Sequence, residues 1–462
     1  MNFLSRLRPA GCAVVLVFLP TLRLAAADAH ILPEGAGTKD GSSWENARPG
    51  TVGDFQAAWE ALTPGDTLHV GSGTYAEIAL AVSHGGAARN PVRLKGVDLG
   101  GGPPKFVSSF DRNNPGSTGK VFFQAAPGVS WFEIEGLKLE NYQTGFRFPG
   151  RNTNIRIANI GMESFREGLR SESSPSSGAL SEWCHNVIVE DCRFVNFTKR
   201  AIRLQGGNCH WTIRRCFADA GGREWFTEPF AICFQVVGDD AKRKAKQGGA
   251  HDHHITFADC VALNTYHEKS GGYWNGDGFC AERGTSHLRY ERCYAAGHTD
   301  AGWDDKSEGP QLVDCIAVDN KRNYRFWGRD VTLSNCVSAF ARKRGGRGGA
   351  TGLWSGGEVE AVDCTFFDDD GPSFSVDGEK PDSRISLKNC LVVSVPPAGE
   401  VRKIPGLRLT DCVIVSRDDP TNDPQIPAQR STERDAGPAA YDSARFGTSK
   451  GFHSSRMTKA SR

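Results

Sequence analysis

An excess of charge of either sign is missing from this 462-residue chain. Its 55 Lys and Arg stand against 54 Asp and Glu, a formal net charge of +1. With no dominant basic block, the sequence does not read as a dedicated nucleic-acid binder. Long apolar runs are missing beyond residue 27, and no later segment approaches the roughly 18 uncharged apolar residues of a membrane span. HExxH does not occur, and the single GxSxG, GTSKG at Gly447–Gly451, lies in the polar C-terminal stretch without the strand-to-helix context of a serine-hydrolase nucleophile. Helical periodicity is scarce as well. The hydrophobic fraction, 39%, is nevertheless too high for wholesale disorder. What the chain has in quantity is glycine, 54 residues, and cysteine, 14.

Residues 1–27 read as a secretory signal peptide. Arg6 and Arg8 make a positive start, an apolar run extends from Ala10 to Leu22, and Ala25-Ala26-Ala27 offers a small-residue cleavage site. The expectation is an exported protein, secreted or periplasmic, soluble and monomeric.

A short pattern then recurs: apolar alternation, then Asp, Asn or Arg, then Cys, then alternation again. It appears as VIVEDCRFVN around Cys192 and TIRRCFADA around Cys216, and again at Cys260, Cys293, Cys315, Cys336, Cys364, Cys390 and Cys412. Two earlier copies carry Leu137 and Ile160 in the Cys place. Spacings run from 21 to 44 residues and cluster near 22, so one structural rung carries loop insertions. Such a rung is too short for a βαβ unit, and period-two alternation means strand. Stacked strand rungs describe an all-β, single-stranded, right-handed parallel β-helix of about 11 or more coils, with Cys facing inward.

GDFQAAWEAL places Phe55, Ala58, Trp59 and Leu62 at helical spacing and is expected to cap the N-terminal end. The expected division is 1–27 signal, 28–415 capped β-helix, and 416–462 polar tail. Large insertions carry SESSPSSG and AKRKAKQGG, and HDHH at His251–His254 reads as a turn.

A second strand lies upstream of each Cys. Aligning these strands turns Phe146, Leu169, Ile202, Ile232, Phe279, Trp303, Tyr324, Leu353 and Phe374 inward. The outward row is then Arg147, Arg170, Arg203, Cys233, Cys280, Asp304, Arg325, Trp354 and Ser375. On three consecutive rungs, NGDGFCAERG, HTDAGWDDKS and NYRFWG bring Asp277, Asp300, Asp304, Lys306 and Arg325 to one face. Asp and Gly also serve as ordinary turn formers, but three carboxylates on neighbouring rungs make an oxygen-rich site suited to Ca²⁺. Arg147, Arg170 and Arg203 suit the carboxylates of uronate sugars, and Trp327 and Trp354 suit stacking on sugar rings. The same arginines would equally serve as solvated cover for the sheet.

The segment 275–328 resembles the family-nine polysaccharide lyases, secreted β-helix enzymes that cleave pectate by β-elimination with Ca²⁺. NGDGF matches the motif that supplies one Asp ligand, here Asp277. DAGWD matches the next ligand motif and carries over Asp300 and Asp304, with Ala301 where the family has a further Asp and Asp305 as a replacement ligand. The position of the family's lysine base falls on Arg325, with Lys306 in reserve. The resemblance therefore implies a Ca²⁺-dependent lyase acting on an acidic polysaccharide. Two other readings stand beside it: a non-catalytic carbohydrate-binding β-helix, for which the missing Asp speaks, and a β-helix glycoside hydrolase working through two Asp.

Export and 14 cysteines invite a disulfide framework. Cys12 leaves with the signal, however, and nine of the rest occupy the repeat position as core thiols. Cys184, Cys209, Cys233 and Cys280 lie outside the ladder, and Cys233 and Cys280 form the candidate pair.

Overall fold

The computed structural model describes residues 28–416, apart from 115, 173–183, 223–230, 239–251, 269–271 and 368–371. The signal segment, His251, the cores of both large insertions and nearly all of the polar tail lie outside the described residues. Alternation and stacking have their predicted result. Three long parallel sheets of 15, 13 and 11 strands wind as a parallel β-helix from Ala29 to Ser416, the inner coils adding one strand to each sheet and the end coils to only one or two. No described helix is long and apolar enough to cross a membrane. The helix Val52–Ala61 begins at Thr51, whose side chain accepts from the Asp54 amide, and it buries Phe55, Ala58 and Trp59 against the first coils.

The Cys pattern is two strands, not one. In one coil, Thr153–Ala158 runs in the first sheet, Gly161–Glu163 in the second and Glu167–Glu172 in the third. The first two are separated by a corner. The residue just before each ladder position has a left-handed backbone: Gly136 at φ 75°, Arg215 and Arg292 at 52 and 49°, and Asn159, Asp191, Asp259, Asp314, Asn335, Asp363, Asn389 and Asp411 between 52 and 56°. Asn and Asp tolerate that conformation best among residues with a side chain. The following Cys then turns inward. Eight of the nine ladder cysteines are buried, and Cys412, on the last coil, is half-buried. Each thiol bonds backbone carbonyls; Cys293 Sγ donates to Glu291 O and Phe257 O, both at 3.4 Å.

All thirteen described cysteines are free thiols, and the expected Cys233–Cys280 pair does not form. The reason is register. Ile202 pairs with Phe234 and Arg203 with Gln235, so Gln235 takes the outward place and stands opposite Cys280. Cys233 turns instead toward the carbonyls of Ala218 and Leu263. FAICF is apolar at every position, so alternation alone did not fix its phase. The HDHH segment also differs from expectation, because Asp252 opens the strand Asp252–Ala258 and is fully buried.

Beneath the polar rungs, aromatic rings stack from coil to coil. Phe234 lies 5.2 Å from Phe279, Phe279 4.8 Å from Trp303, and Trp303 5.1 Å from Tyr324. This buried column gives the third sheet a stiff floor.

Candidate active site

Three adjacent strands of the third sheet, Asp277–Ala281, Ala301–Asp305 and Arg322–Phe326, form the candidate site. Register sets out a small grid. Asp277 pairs with Ala301 and Ala301 with Arg322, while Cys280 pairs with Asp304 and Asp304 with Arg325. Just past the strands, Lys306 reaches back to Glu282. One rung is thus largely acidic, the next mixed and the third cationic.

Strict alternation would send Arg322 to the core, yet it bonds Asp300 on the outer side. The strands bend at their second residue, which points into the corner. At Gly278 a Cβ would lie 2.7 Å from both Gly302 O and His298 Nε2. In the third rung this place holds Asn323, whose Nδ2 donates to Ser338 Oγ at 3.0 Å and Ala339 O at 2.9 Å. The bend turns the first residue of each strand outward.

Every carboxylate in the cluster has a partner. Asp300 is buried and is held by Arg322 and by Arg325 Nη1 at 3.1 Å, and the Tyr273 hydroxyl donates to it at 3.4 Å. Asp304 takes Lys306 Nζ at 3.0 Å and Trp327 Nε1 at 2.8 Å, with Arg325 at 3.7 Å. Asp277 accepts from the Ala301 amide at 3.0 Å. Lys306 also reaches Glu282 at 2.9 Å. The Arg325 guanidinium lies 4.5 Å from the Trp327 ring and 5.4 Å from that of Trp354, and the two indoles are 4.5 Å apart. Arg325 Nε is buried and has no acceptor among the described residues.

Burial, reinforced by the charges of Asp304 and Asp300, pushes Asp277 well above the usual carboxylate range. Burial also raises Asp300, against the pull of Arg325 and Arg322. Asp304 is opposed by burial too, but Lys306, Arg325 and the Trp327 bond outweigh it and hold this carboxyl low. Burial works against the charges on Lys306 and Arg325. The surrounding anions, Asp304 foremost, win and keep both pKa values above normal.

Asp305 does not join the other three. Alternation turns it to the core side, where Tyr290 donates to it at 2.9 Å and the Ser307 amide at 2.8 Å, and burial lifts its pKa to about 6. Arg147, Arg170 and Arg203 do form one in-register row on earlier coils of the same sheet, separated from Asp304 by Gln235 and Cys280. Arg170 is tied to Glu167 at 3.2 Å and to Glu172. Burial, with help from Arg170, lowers the pKa of Arg203 despite Glu167.

Four neighbours escaped the sequence reading as members of the site. Arg322 was hidden by the bend, Glu282 was not singled out within NGDGFCAERG, and Cys280, correctly placed in the outward row, was read as a disulfide partner rather than as a neighbour of the carboxylates. Tyr273 belongs to a hairpin, His267–Glu268 with Trp274–Asn275, that stands outside the coil repeat.

The donor set does not fit the Ca²⁺ that the family resemblance implies. Asp277, Cys280 and Asp304 bring one ligand atom each within 4.8 Å of one another. One of these atoms is a thiol, and Ca²⁺ requires six to eight oxygens. Ala301 supplies no oxygen, Asp305 faces away, and both oxygens of Asp300 and of Asp304 already bond nitrogen or hydroxyl groups.

No family model matches the chain, and no curated protein matches it by sequence. Solved structures do. A mannuronic acid-specific polysaccharide family 6 lyase from human gut microbiota matches with a TM-score of 0.54 at 12% identity, over 89% of this chain and 94% of that one. The A-module of an Azotobacter vinelandii mannuronan C-5 epimerase gives a TM-score of 0.53 at 14% identity, over 79% and 95%. The pectate lyase Pel9A gives 0.40 at 13% identity, over 83% and 79%, too loose to carry a family assignment. At these identities the likeness establishes the parallel β-helix and nothing finer. The family-nine resemblance rests on the motifs alone.

Proposed function

We propose that this chain is an exported polysaccharide lyase that cleaves a uronate-containing polysaccharide by β-elimination. The observation that carries the reading is Arg325. Its guanidinium is wedged against two indoles, and its buried Nε has no acceptor among the described residues. A uronate supplies both missing parts, a carboxylate oxygen for the donor and a sugar ring for the aromatic wall. The Arg147–Arg170–Arg203 row gives the same polymer a cationic track. Arg203 stands three rungs from Asp304, on the order of 14 Å at about 4.8 Å per rung.

β-Elimination needs the C5 proton acidified, removed, and the 4-linked oxygen released. Arg325 and Lys306, held charged by their anionic neighbours, suit the first task, stabilising the carboxylate as negative charge builds on it. They suit proton removal poorly, because a base needs its charged form disfavoured. Tyr273 donates a hydrogen bond to Asp300, and burial with the charges of Asp300 and Asp277 holds its hydroxyl protonated, so it suits delivering a proton to the departing 4-linked oxygen rather than taking one from C5. The two neighbours with the higher TM-scores are named as acting on mannuronic acid and on mannuronan. Mannuronan therefore belongs in the substrate panel beside pectate.

The test incubates the protein with pectate, mannuronan and a neutral polymer and follows the ultraviolet absorbance of unsaturated uronate ends. We expect that absorbance with one of the acidic polymers, and an Arg325→Ala loss of about 10²-fold or more in kcat/KM with the fold retained. C5 inversion without chain cleavage would reassign the site to epimerisation. New reducing ends without the absorbance would overturn the lyase reading in favour of hydrolysis.

A further inference from the structure

The carboxylate cluster and the cations set into it carry a consequence that does not depend on the substrate. Asp277, Glu282, Asp300 and Asp304 lie on neighbouring rungs, and Lys306, Arg322 and Arg325 lie among them. The spacing of a cation site survives, because Asp277 and Asp304 bring ligand atoms within 4.8 Å of each other. Its centre of positive charge, however, comes from the chain. Lys306 Nζ bridges Asp304 at 3.0 Å and Glu282 at 2.9 Å, as an ion shared between two carboxylates would. Arg325 spans Asp300 and Asp304 on the other side. Only 15% of the Lys306 side chain and 14% of that of Arg325 is exposed, so solvent screens neither strongly.

We propose that Lys306, with Arg325, replaces a divalent cation in this cluster, so that the native site takes no Ca²⁺ and its positive charge is covalently built in. A divalent ion entering beside Lys306 would have to displace an ammonium from two carboxylates. It would find Cys280 and Ala301 where further oxygens are needed. Removing the ammonium lifts the first obstacle, because Asp304 Oδ2 and Glu282 are freed next to Asp277, and a glutamine at this position would bring an amide oxygen toward the missing ligands.

Binding measured without polysaccharide tests this, and therefore stands or falls separately from the lyase reading. The probes are Ca²⁺ alone, followed by calorimetry and thermal melting, and Tb³⁺ alone, followed by luminescence sensitised through Trp327, which hydrogen-bonds Asp304. For the wild-type protein we expect no saturable Ca²⁺ heat, no sensitised Tb³⁺ emission, and the same Tm in chelator and in excess Ca²⁺. Lys306→Gln is expected to gain a saturable Ca²⁺-dependent rise in Tm and sensitised emission, and Lys306→Gln with Asp304→Asn to lose both. Saturable Ca²⁺ binding by the wild type that Asp304→Asn abolishes would overturn the proposal, and this arm decides even if Lys306→Gln does not fold. A folded Lys306→Gln protein indifferent to Ca²⁺ would overturn it equally.

Discussion

Asp252 shows what one buried carboxyl does to the pH dependence of the fold. It is fully buried, and its Oδ1 accepts from the Asn208 amide at 2.6 Å and Asn208 Nδ2 at 2.9 Å. Its Oδ2 has no hydrogen-bond partner among the described residues. Burial raises its pKa to about 6, above the ordinary value of 3.8. A group raised in the folded state favours folding while protonated. Its contribution is fully present below the unfolded pKa and is lost as pH rises through the folded one. The loss amounts to roughly 3 kcal/mol, at about 1.4 kcal/mol per unit. Asp252→Asn keeps an acceptor for Asn208 and cannot ionise. Measured by denaturant unfolding, the variant should gain on the wild type between about pH 4 and pH 6, most steeply near pH 5, with little further change above about pH 7. Parallel stability profiles would refute this.

At the scale of the element, the coil corner is the unit of construction. Asn335 sits at φ 53° just before Cys336, and its Nδ2 donates to Asp314 Oδ1, the corner residue one coil earlier. Asn335→Gly should keep the left-handed backbone and lose what the side chain contributes, the bond to Asp314 included. Asn335→Val should cost about 1–2 kcal/mol more, because a β-branched residue resists that region. Equilibrium unfolding of the two variants checks the order, and equal losses would mean the corner carries no conformational demand. The corner also explains what was legible in advance. Val187 and Val189 face in, and so do Cys192 and Phe194. Inward parity therefore slips between 189 and 192, and the slip marks a corner inside what reads as one strand. The coil repeat, the inward Cys and most of the outward row could be read because one face of each strand is apolar. The phase of FAICF, the side of Asp305 and the outward Arg322 could not. Each depends on a neighbouring coil or on a bend that alternation does not encode.

For the whole molecule, the ladder decides what kind of stability a cysteine-rich chain has. A cross-linked scaffold would depend on oxidation, and its loops would be stapled across the fold. Here the coils are instead joined by parallel backbone ladders and by a core running from Ile31 to Val401, with the thiols as small apolar filling. Burial raises the thiol pKa of Cys233 and Cys280 well above normal, so neither is primed as a thiolate for exchange. The melting temperature should then be unchanged by a strong thiol reductant. A thiol reagent should react with few of the thirteen described cysteines in the native protein and with all of them once the chain is unfolded in denaturant without reductant. A drop in Tm on reduction, or fewer than thirteen reactive thiols after unfolding, would show that a bridge holds part of the solenoid. Because each coil contacts mainly its neighbours, stability should also respond to a ladder substitution locally. Cys315→Ser, in the middle of the stack, places a hydroxyl in an apolar position and should cost on the order of 1–3 kcal/mol. The same change at half-buried Cys412, on the last coil, should cost less. Equal costs at the two positions would mean that the ladder acts as a single cooperative block.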